Sequence, residues 1–481
     1  MNRRMIFSVV GKMVTAEAGL LILPLATAVL YGESCAWAIL QTMLLALVLG
    51  QTMVLLSRPK SRVIYAREGF CITALAWIFM SAVGALPFVI SGEIPHFIDA
   101  FFETVSGFTT TGASILNDVE AMSHGLLLWR SFTHWVGGMG ILVFVTALLP
   151  SVSDRTIHIL RAEMPGPIVG KIVPKAKDTA MILYKIYLGM TAVMVVLLLL
   201  GGMSLFESLI HTFGAAGTGG FSSRATSIAS YSPYCQWVIT IFMLLFGINF
   251  NLYYLLLIRR FRSVLQSTEL WTYLAIVVVA IALICANIRD LYSTFAETLR
   301  YASFQVSTII TTTGYATTDF NLWPGFSKGI LLLLMFVGAC AGSTAGGLKV
   351  SRVVIMAKNV GRQLRQLVHP RSVTAVKFEG KTLDDQTAHG VGVYLSVYLF
   401  CFVAIVLLLC LEDMSFTTHF SAAAACFNNI GPGFDLVGPA SNYDCYSYFS
   451  KFVLSIGMLL GRLEIYPLLI ALYPGTWRKK S

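Results

Sequence analysis

The sequence predicts an all-α polytopic membrane protein: four pseudo-four-fold repeats of outer helix, pore loop and inner helix around a central pore, preceded by two extra N-terminal transmembrane helices. Hydropathy, the placement of basic residues and a polar text that returns four times predict it. Of the 481 residues, 56% are hydrophobic and 12% charged, against about 25% charged in an average soluble domain. No soluble core absorbs so much apolar sequence while leaving so little polar surface.

Apolar spans read at 5–31, 35–57, 68–92, 124–150, 179–202, 232–258, 270–288, 325–348, 387–411 and 449–473. Each reaches the roughly 17–25 residues needed to cross a bilayer, or exceeds it with room for tilt. Ten crossings place both termini on one side. The segments on that side hold 25 of the 34 Lys and Arg, whereas the opposite connections hold only Arg224, Arg289 and Arg300, together with 13 of the 24 acids. The positive-inside rule then puts both termini in the cytoplasm. The formal charge of +10 is a topology signal, and no nucleic-acid partner is needed to explain it.

The first span follows "MNRR" but contains Glu17 and lacks a small-residue cleavage site, so it reads as a retained helix. Nine cysteines, mostly inside spans and without a CxxC pair, predict neither a disulfide framework nor a zinc site.

After the second span the text repeats: a crossing, a mid-length amphipathic stretch, a Thr/Gly/Asn knot, a polar tail, a crossing. The amphipathic stretches are "IPHFIDAFFETVSGF", "SLFESLIHTFGAAG", "STFAETLRYASFQVSTI" and "SFTTHFSAAAACF". Each is too short to span and predicts a re-entrant helix. The knots are "TTTGAS" (109–114), "GTGGFS" (217–222), "TTTGYA" (311–316) and "NNIGPG" (428–433), which align on Gly112, Gly220, Gly314 and Gly431. Two full crossings per unit start every unit on the same side, so the repeats are related by an axis along the membrane normal. The divisions follow: 1–62 for the two N-terminal helices, then 63–155, 156–265, 266–370 and 371–481 for repeats 1 to 4.

Non-helical backbone at membrane depth is tolerated only when packed in protein or lining a wet cavity. Glycine reaches backbone angles closed to other residues, and threonine adds a hydroxyl oxygen to its own carbonyl. Four such segments around a lumen make stacked rings of oxygen dipoles able to replace the water of a dehydrated cation, and potassium is the easier ion to dehydrate. A single Thr/Gly cluster is more often an ordinary helix stop. Four copies, each after a short amphipathic helix, argue for a shared site.

The third inner helix is interrupted by "GACAGSTAGG", with Gly338, Gly342, Gly346 and Gly347. Each glycine costs a helix about 1 kcal/mol against alanine, so the stretch predicts an irregular intramembrane loop below the knots, able to act as a gate, with Lys349 just beyond it. It is not a Walker A loop, since Leu348 stands where Lys is required. Arg462 lies within the last span with Glu464 two residues on; a charge there faces a cavity or a partner, and it reads either as a snorkelling or ion-paired structural arginine or as a guanidinium in the pore below the knots, where it repels cations. The acids Glu93, Asp99, Glu103, Asp118, Glu120, Asp319 and Asp435 are candidates to concentrate cations at the outer mouth. His124, His134, His211 and His419 show no metal spacing and read as packing or capping residues. Lys171, Lys175, Lys177 and the run from Lys358 to Lys381 set topology first and offer a docking surface to a cytosolic partner second.

With these knots the chain resembles the Trk/Ktr/HKT superfamily of cation transporters, in particular its bacterial Trk-type potassium uptake subunits. The resemblance covers nearly the whole chain and includes "RAEMPGP" (161–167), "GACAGSTAGGLK" (338–349) and "GRLEIYP" (461–467). It implies a bacterial inner-membrane protein that forms a homodimer and docks on a cytosolic regulatory ring of Rossmann-like, nucleotide-binding domains. It also implies a potassium filter lined by Thr110, Thr111 and Gly112; Thr218, Gly219 and Gly220; Thr312, Thr313 and Gly314; and Asn429, Ile430 and Gly431. Plant relatives that pass sodium carry serine at the first of these glycines, so Gly112 favours potassium. The second knot departs from Thr-Thr-Gly at Gly219. The transported ion is the only ligand expected; no covalent cofactor and no enzymatic activity are. Two rivals keep the fold: a sodium-permeable transporter, and a sodium- or proton-coupled carrier, for which Glu17, Lys185 and Glu464 are the few titratable candidates in mid-span.

Overall fold

A computed structural model describes residues 1–57, 65–140, 176–371 and 375–478. Its interior is apolar with many polar residues among the apolar ones, and its outside also carries many large apolar side chains, unlike a water-soluble fold. Trp37, Leu200 and Phe400 are 71%, 75% and 77% exposed, while Glu17, Thr42, Thr73 and Gln236 are buried. Such a surface is stable only against lipid.

Two N-terminal helices come first: a 28-residue span over Arg3–Leu30, with a one-residue break at Leu21, and Cys35–Leu56. They cross at a small-residue contact. A Cβ on Gly50 would lie 2.7 Å from the Gly11 carbonyl oxygen and 2.3 Å from Thr15 Oγ1, so the backbones meet directly, as apolar packing in lipid favours.

Three elements then recur four times. The outer helices are Ala66–Ser91 (turned at Ala85), Ala176–Leu200, Thr268–Asn287 and Asp385–Leu409. The short helices are Phe97–Phe108, Leu205–Gly217, Phe295–Ile310 and Phe416–Phe427. At 12, 13, 16 and 12 residues they stop partway through a bilayer. Polar residues start them: Ser204 forms a capping box with Glu207, Thr294 accepts from the Glu297 N–H, and Ser415 from the Thr418 N–H. The inner helices begin at His124, Pro233, Gly325 and Tyr448. Beyond the third, residues 338–349 form a loop without helix, followed by the amphipathic helix Val350–Val368 and a two-stranded hairpin, Lys377–Phe378 with Lys381–Thr382.

The inner helices depart from the spans expected of them. Residues 232–258 divide into Pro233–Phe246 and Phe250–Leu257, bent by 90°, and 449–473 divide into Tyr448–Arg462 and Tyr466–Leu472, bent by 120°. The span expected at 325–348 ends at Val337, and the helix within 124–150 ends at Gly138. Among the described residues six helices are long and apolar enough to cross a membrane, or eight with each bent pair as one span; the other two expected spans correspond to the shorter helix Gly325–Val337 and to His124–Gly138, with residues 141–150 outside the described ones. Hydropathy sums side chains and is blind to backbone pairing. Gly247 and Asn249 form the first break, and Glu464 and Ile465 take left-handed angles at the second. Backbone groups freed at the first break pair with the 338–349 loop: Cys340 N–H donates to the Gly247 carbonyl at 3.1 Å, and Phe250 N–H to the Gly342 carbonyl at 3.0 Å. The "RAEMPGP" stretch, Lys171 and Lys175 lie outside the described residues, as do the expected boundaries at 62/63 and 155/156.

Candidate functional site

Each short helix ends at its knot, turning the negative end of its dipole toward it. Two residues before the aligned glycine the backbone becomes left-handed: Thr110, Thr218, Thr312 and Asn429 have φ of 55°, 56°, 56° and 57°. A β-branched residue there is a genuine outlier, and such a conformation costs about 1–3 kcal/mol unless the surroundings enforce it. Three threonines carry that strain at one register of different loops. The glycines follow with φ of 79°, 77°, 87° and 96° for Gly112, Gly220, Gly314 and Gly431.

These glycines close a ring. A Cβ on Gly112 would lie 1.9 Å from the Gly219 carbonyl oxygen of the next repeat, and one on Gly220 would lie 2.0 Å from that of Thr313. On Gly314 it would lie 2.1 Å from the Ile430 oxygen, and on Gly431 2.7 Å from the Thr111 oxygen. Repeat 1 thus touches 2, 2 touches 3, 3 touches 4 and 4 touches 1. The four main-chain segments converge on one axis, separated by little more than a carbonyl.

Side chains hold the loops from outside the ring. Thr109 and Thr111 hydroxyls share a 2.8 Å hydrogen bond, and Thr311 and Thr313 repeat it at 2.8 Å. Asn429 Nδ2 donates to Thr111 Oγ1 at 3.0 Å and to the Met458 carbonyl at 2.9 Å. The second knot's departure has a steric cause. A Cβ on Gly219 would meet His134 Nδ1 at 2.3 Å, and the His134 ring stacks on Phe221 with centroids 4.1 Å apart. A histidine from repeat 1 occupies the place that a threonine side chain takes in loops 1 and 3.

The ring separates two cavities. The outer one, of 160 Å³, is lined by all four ring glycines. The inner one, of 70 Å³, is lined by Gly342, Gly346, Gly347, Lys349, Arg462 and Glu464 among others. Between ring and inner cavity runs the 338–349 loop. Gly346 N–H donates to Thr312 Oγ1 at 2.6 Å, and a Cβ on Gly346 would lie 2.6 Å from the Asn428 carbonyl oxygen. Gly338 and Gly347 pack on each other at the loop's two ends, and a Cβ on Gly342 would lie 3.0 Å from the Asn249 side chain. Lys349 Nζ folds back onto the Ala345 and Gly346 carbonyls. Arg462 donates to the Thr344 carbonyl at 2.7 Å and to the Gly137 and Gly138 carbonyls at 2.6 and 2.7 Å. It ties the loop to the end of the first inner helix.

Several groups at the site went unseen in the sequence. Arg130, inside an apolar span, pairs with Glu103 at 2.5 Å, both buried. Glu103 also accepts from Ser114 Oγ and the Ile115 N–H at 3.0 Å each. Lys451 pairs with Asp99 at 2.8 Å. Glu103 and Asp99 are therefore buried braces behind the first loop and not the free mouth charges expected. Glu93, Asp118, Asp319 and Asp435 also accept local hydrogen bonds, from Ser123, Glu120, Asn321 and Thr418. Glu464 pairs with Arg352 on the Val350–Val368 helix, and Glu269 accepts from the N–H of Ala341 within the loop and of Ser351 just beyond it. Glu103 and Arg130 lie far apart in sequence, so no local spacing announced the pair. The histidines also contact neighbours: His124 with Glu33, His211 with the Glu207 carbonyl and Ser222, His419 with the Glu412 carbonyl and Tyr446.

The class these features define is a multi-pass, all-α membrane protein with four re-entrant loops meeting on one axis. A family profile described as "TrkH: Cation transport protein" matches residues 36–475. The Trk system potassium uptake protein TrkH of Escherichia coli K12 is 35% identical over 100% of both chains, and TrkG of the same strain is 32% identical over 95% of this chain and 94% of its own. The crystal structure of the potassium transporter TrkH from Vibrio parahaemolyticus superposes with a TM-score of 0.89 at 31% identity, covering 99% of this chain and 100% of that one. The chain belongs to the TrkH family of cation transport proteins.

Proposed function

We propose that the chain is the potassium-translocating subunit of a Trk-type uptake system in a bacterial inner membrane, with both termini cytoplasmic. The ring of four loops is its selectivity filter. Main-chain carbonyls of Thr110, Thr111, Gly112 and their counterparts in the other repeats replace the hydration shell of K+, and the four helix C-termini add negative potential at the same point. K+ then moves inward down its electrochemical gradient, drawn by the negative-inside potential. No bond is made or broken, and the reading involves no enzymatic step.

The 338–349 loop serves as the gate. Gly338, Gly342, Gly346 and Gly347 let it lie across the path; Lys349 and Arg462 hold it there and place positive charge below the filter, which throttles cation flow. Control comes from a cytosolic nucleotide-binding ring docked on the basic segments around Lys358–Lys381, with the subunit acting as a homodimer. The potassium uptake named for the relatives supports this reading, and one observation carries it: four loops of different sequence adopt one backbone conformation and pack glycine to carbonyl around a closed ring.

The test is K+ against Na+ flux through purified protein in liposomes, wild type beside Gly112→Ser. Wild type is expected to prefer K+, and Gly112→Ser to lose most of that preference. A wild type that passes neither ion with its partner supplied, or a Gly112→Ser protein of unchanged preference, defeats the reading.

A further inference from the structure

Just outside the ring, the four exit strands are bridged to one another, and each boundary uses a different device. Between repeats 1 and 2, Arg130 donates to the Ser222 carbonyl at 3.2 Å and lies 3.5 Å over the Phe221 ring. Between 2 and 3, the Tyr315 hydroxyl reaches the His211 and Phe221 carbonyls at 3.0 and 3.2 Å. Between 3 and 4, Asp435 N–H donates to Asn321 Oδ1 at 3.1 Å, while Ser415 and Thr418 hydroxyls hold the Asp435 carboxyl below its usual range. Between 4 and 1, Tyr443 N–H donates to the Ser114 carbonyl at 2.8 Å and Asn442 Nδ2 to Asn117 Oδ1 at 2.7 Å.

Only the last of these reaches a ring residue. The Tyr443 hydroxyl donates to the Gly431 carbonyl at 2.7 Å, with the ring 2% exposed and 5.6 Å from that of Phe102 on the first short helix. Among the described residues no donor reaches the Gly112, Gly220 or Gly314 carbonyls. The four glycine oxygens are therefore unequal: three are free to face an ion, and the fourth already has one lone pair engaged.

We infer that Tyr443 is a positioning residue for the outermost ring of oxygens, setting the Gly431 carbonyl and making that ring chemically asymmetric. The inference rests on the filter reading above. A carbonyl fixed by a hydroxyl neither swings inward to suit a smaller ion nor offers its full field. The hydroxyl thus disfavours Na+, which needs shorter contacts than K+. Tyr443→Phe keeps the buried ring and removes only the donor.

The experiment measures the K+/Na+ permeability ratio in liposomes for wild type, Tyr443→Phe, Tyr446→Phe and Gly112→Ser. Tyr446 is the control: it is a buried neighbour whose hydroxyl meets His419 Nδ1 at 3.2 Å, away from the ring. Tyr443→Phe is expected to lower the ratio about three- to ten-fold, the factor one hydrogen bond makes in an equilibrium, and Tyr446→Phe to leave it alone. An unchanged Tyr443→Phe ratio beside a shifted Gly112→Ser ratio overturns the inference and leaves the filter reading standing. Equal shifts in both tyrosine variants also overturn it, since they report loosened packing. No shift in either Gly112→Ser or Tyr443→Phe defeats the filter reading and this inference with it. The rise in Tm of detergent-solubilised protein on adding K+, compared with that on adding Na+, gives a second readout without flux: wild type is expected to show a larger K+-over-Na+ difference than Tyr443→Phe, and equal differences count against the inference.

Discussion

The ring and the loop beneath it are built on opposite plans. In the ring, three different texts in four loops converge on one backbone: Thr-Thr-Gly twice, Thr-Gly-Gly once and Asn-Ile-Gly once share a left-handed residue and a left-handed glycine at the same register. Beneath the ring, among the described residues, only the third repeat sends a loop across, and that loop is held by its own Lys349 and by Arg462 and Glu269 from its neighbours. Equivalent ligands from every direction are what binding a spherical ion requires. Controlling its passage needs one movable part. On the proposed reading, symmetry is kept at the level of the main chain where the ion is bound, and given up where flow is to be stopped.

The comparison breaks most sharply at a ring glycine. Gly314→Ala places a Cβ 2.1 Å from the Ile430 carbonyl oxygen at φ 87°. Backbone strain and overpacking together are expected to cost about 3 kcal/mol or more and, as with Gly112→Ser in loop 1, to lower both K+ flux and its preference over Na+. Flux within two-fold of wild type at equal protein level would show that the loops do not need their close approach.

A more selective test uses the one loop that departs from the pattern. Gly219→Ala puts a Cβ 2.3 Å from His134 Nδ1, a clash expected to cost about 1–3 kcal/mol. Adding His134→Ala empties the space, so the double variant is expected to regain part of the stability lost by Gly219→Ala. The coupling is read from Tm or denaturation midpoints in a double-mutant cycle. Additive losses would mean that His134 is not the reason for glycine there.

The ring was far more legible in the sequence than its supports were. Glycines and threonines between apolar runs are conspicuous because neither suits a helix interior nor a lipid face, and repetition multiplied the signal. The irregular 338–349 loop was visible for the same reason, from its four glycines. What escaped notice depends on contacts distant in sequence. Arg130, Lys451 and Glu269 sit inside or beside apolar runs, and their partners Glu103, Asp99 and Ala341 come from other elements. The breaks at Gly247–Asn249 and Leu463–Ile465 were hidden for a related reason. A hydropathy window registers apolar side chains, whereas these breaks are stabilised by backbone partners or left-handed angles at residues as ordinary as Glu464 and Ile465.

Below the ring, Arg462→Ala removes three hydrogen bonds that tie the gate loop to the first inner helix, together with a positive charge lining the inner cavity. Flux is expected to rise several-fold while the K+/Na+ ratio stays within two-fold of wild type, because the ring itself is untouched. A ratio that collapses along with the rise in flux would erase the distinction between a symmetric binding ring and an asymmetric gate.

The smallest effect is expected at Glu269, and it separates charge from tethering. Its Oε1 accepts from Ala341 N–H at 2.8 Å and from Ser351 N–H at 3.1 Å, so one oxygen joins the loop to the start of the helix that follows it. Glu269→Gln keeps an acceptor oxygen in place and is expected to change flux by less than two-fold. Glu269→Ala leaves both N–H groups without that partner, each a loss of about 1–3 kcal/mol for a buried donor, and is expected to raise flux modestly, with less effect than Arg462→Ala. If the Gln and Ala variants behave alike and like wild type, the loop's anchorage does not limit flow. If the Gln variant rises as far as the Ala variant, the carboxylate's charge matters and its acceptor geometry does not. Arg462 and Lys349, the cations that line the same cavity, would then be acting through the local field, with their bonds to the loop secondary.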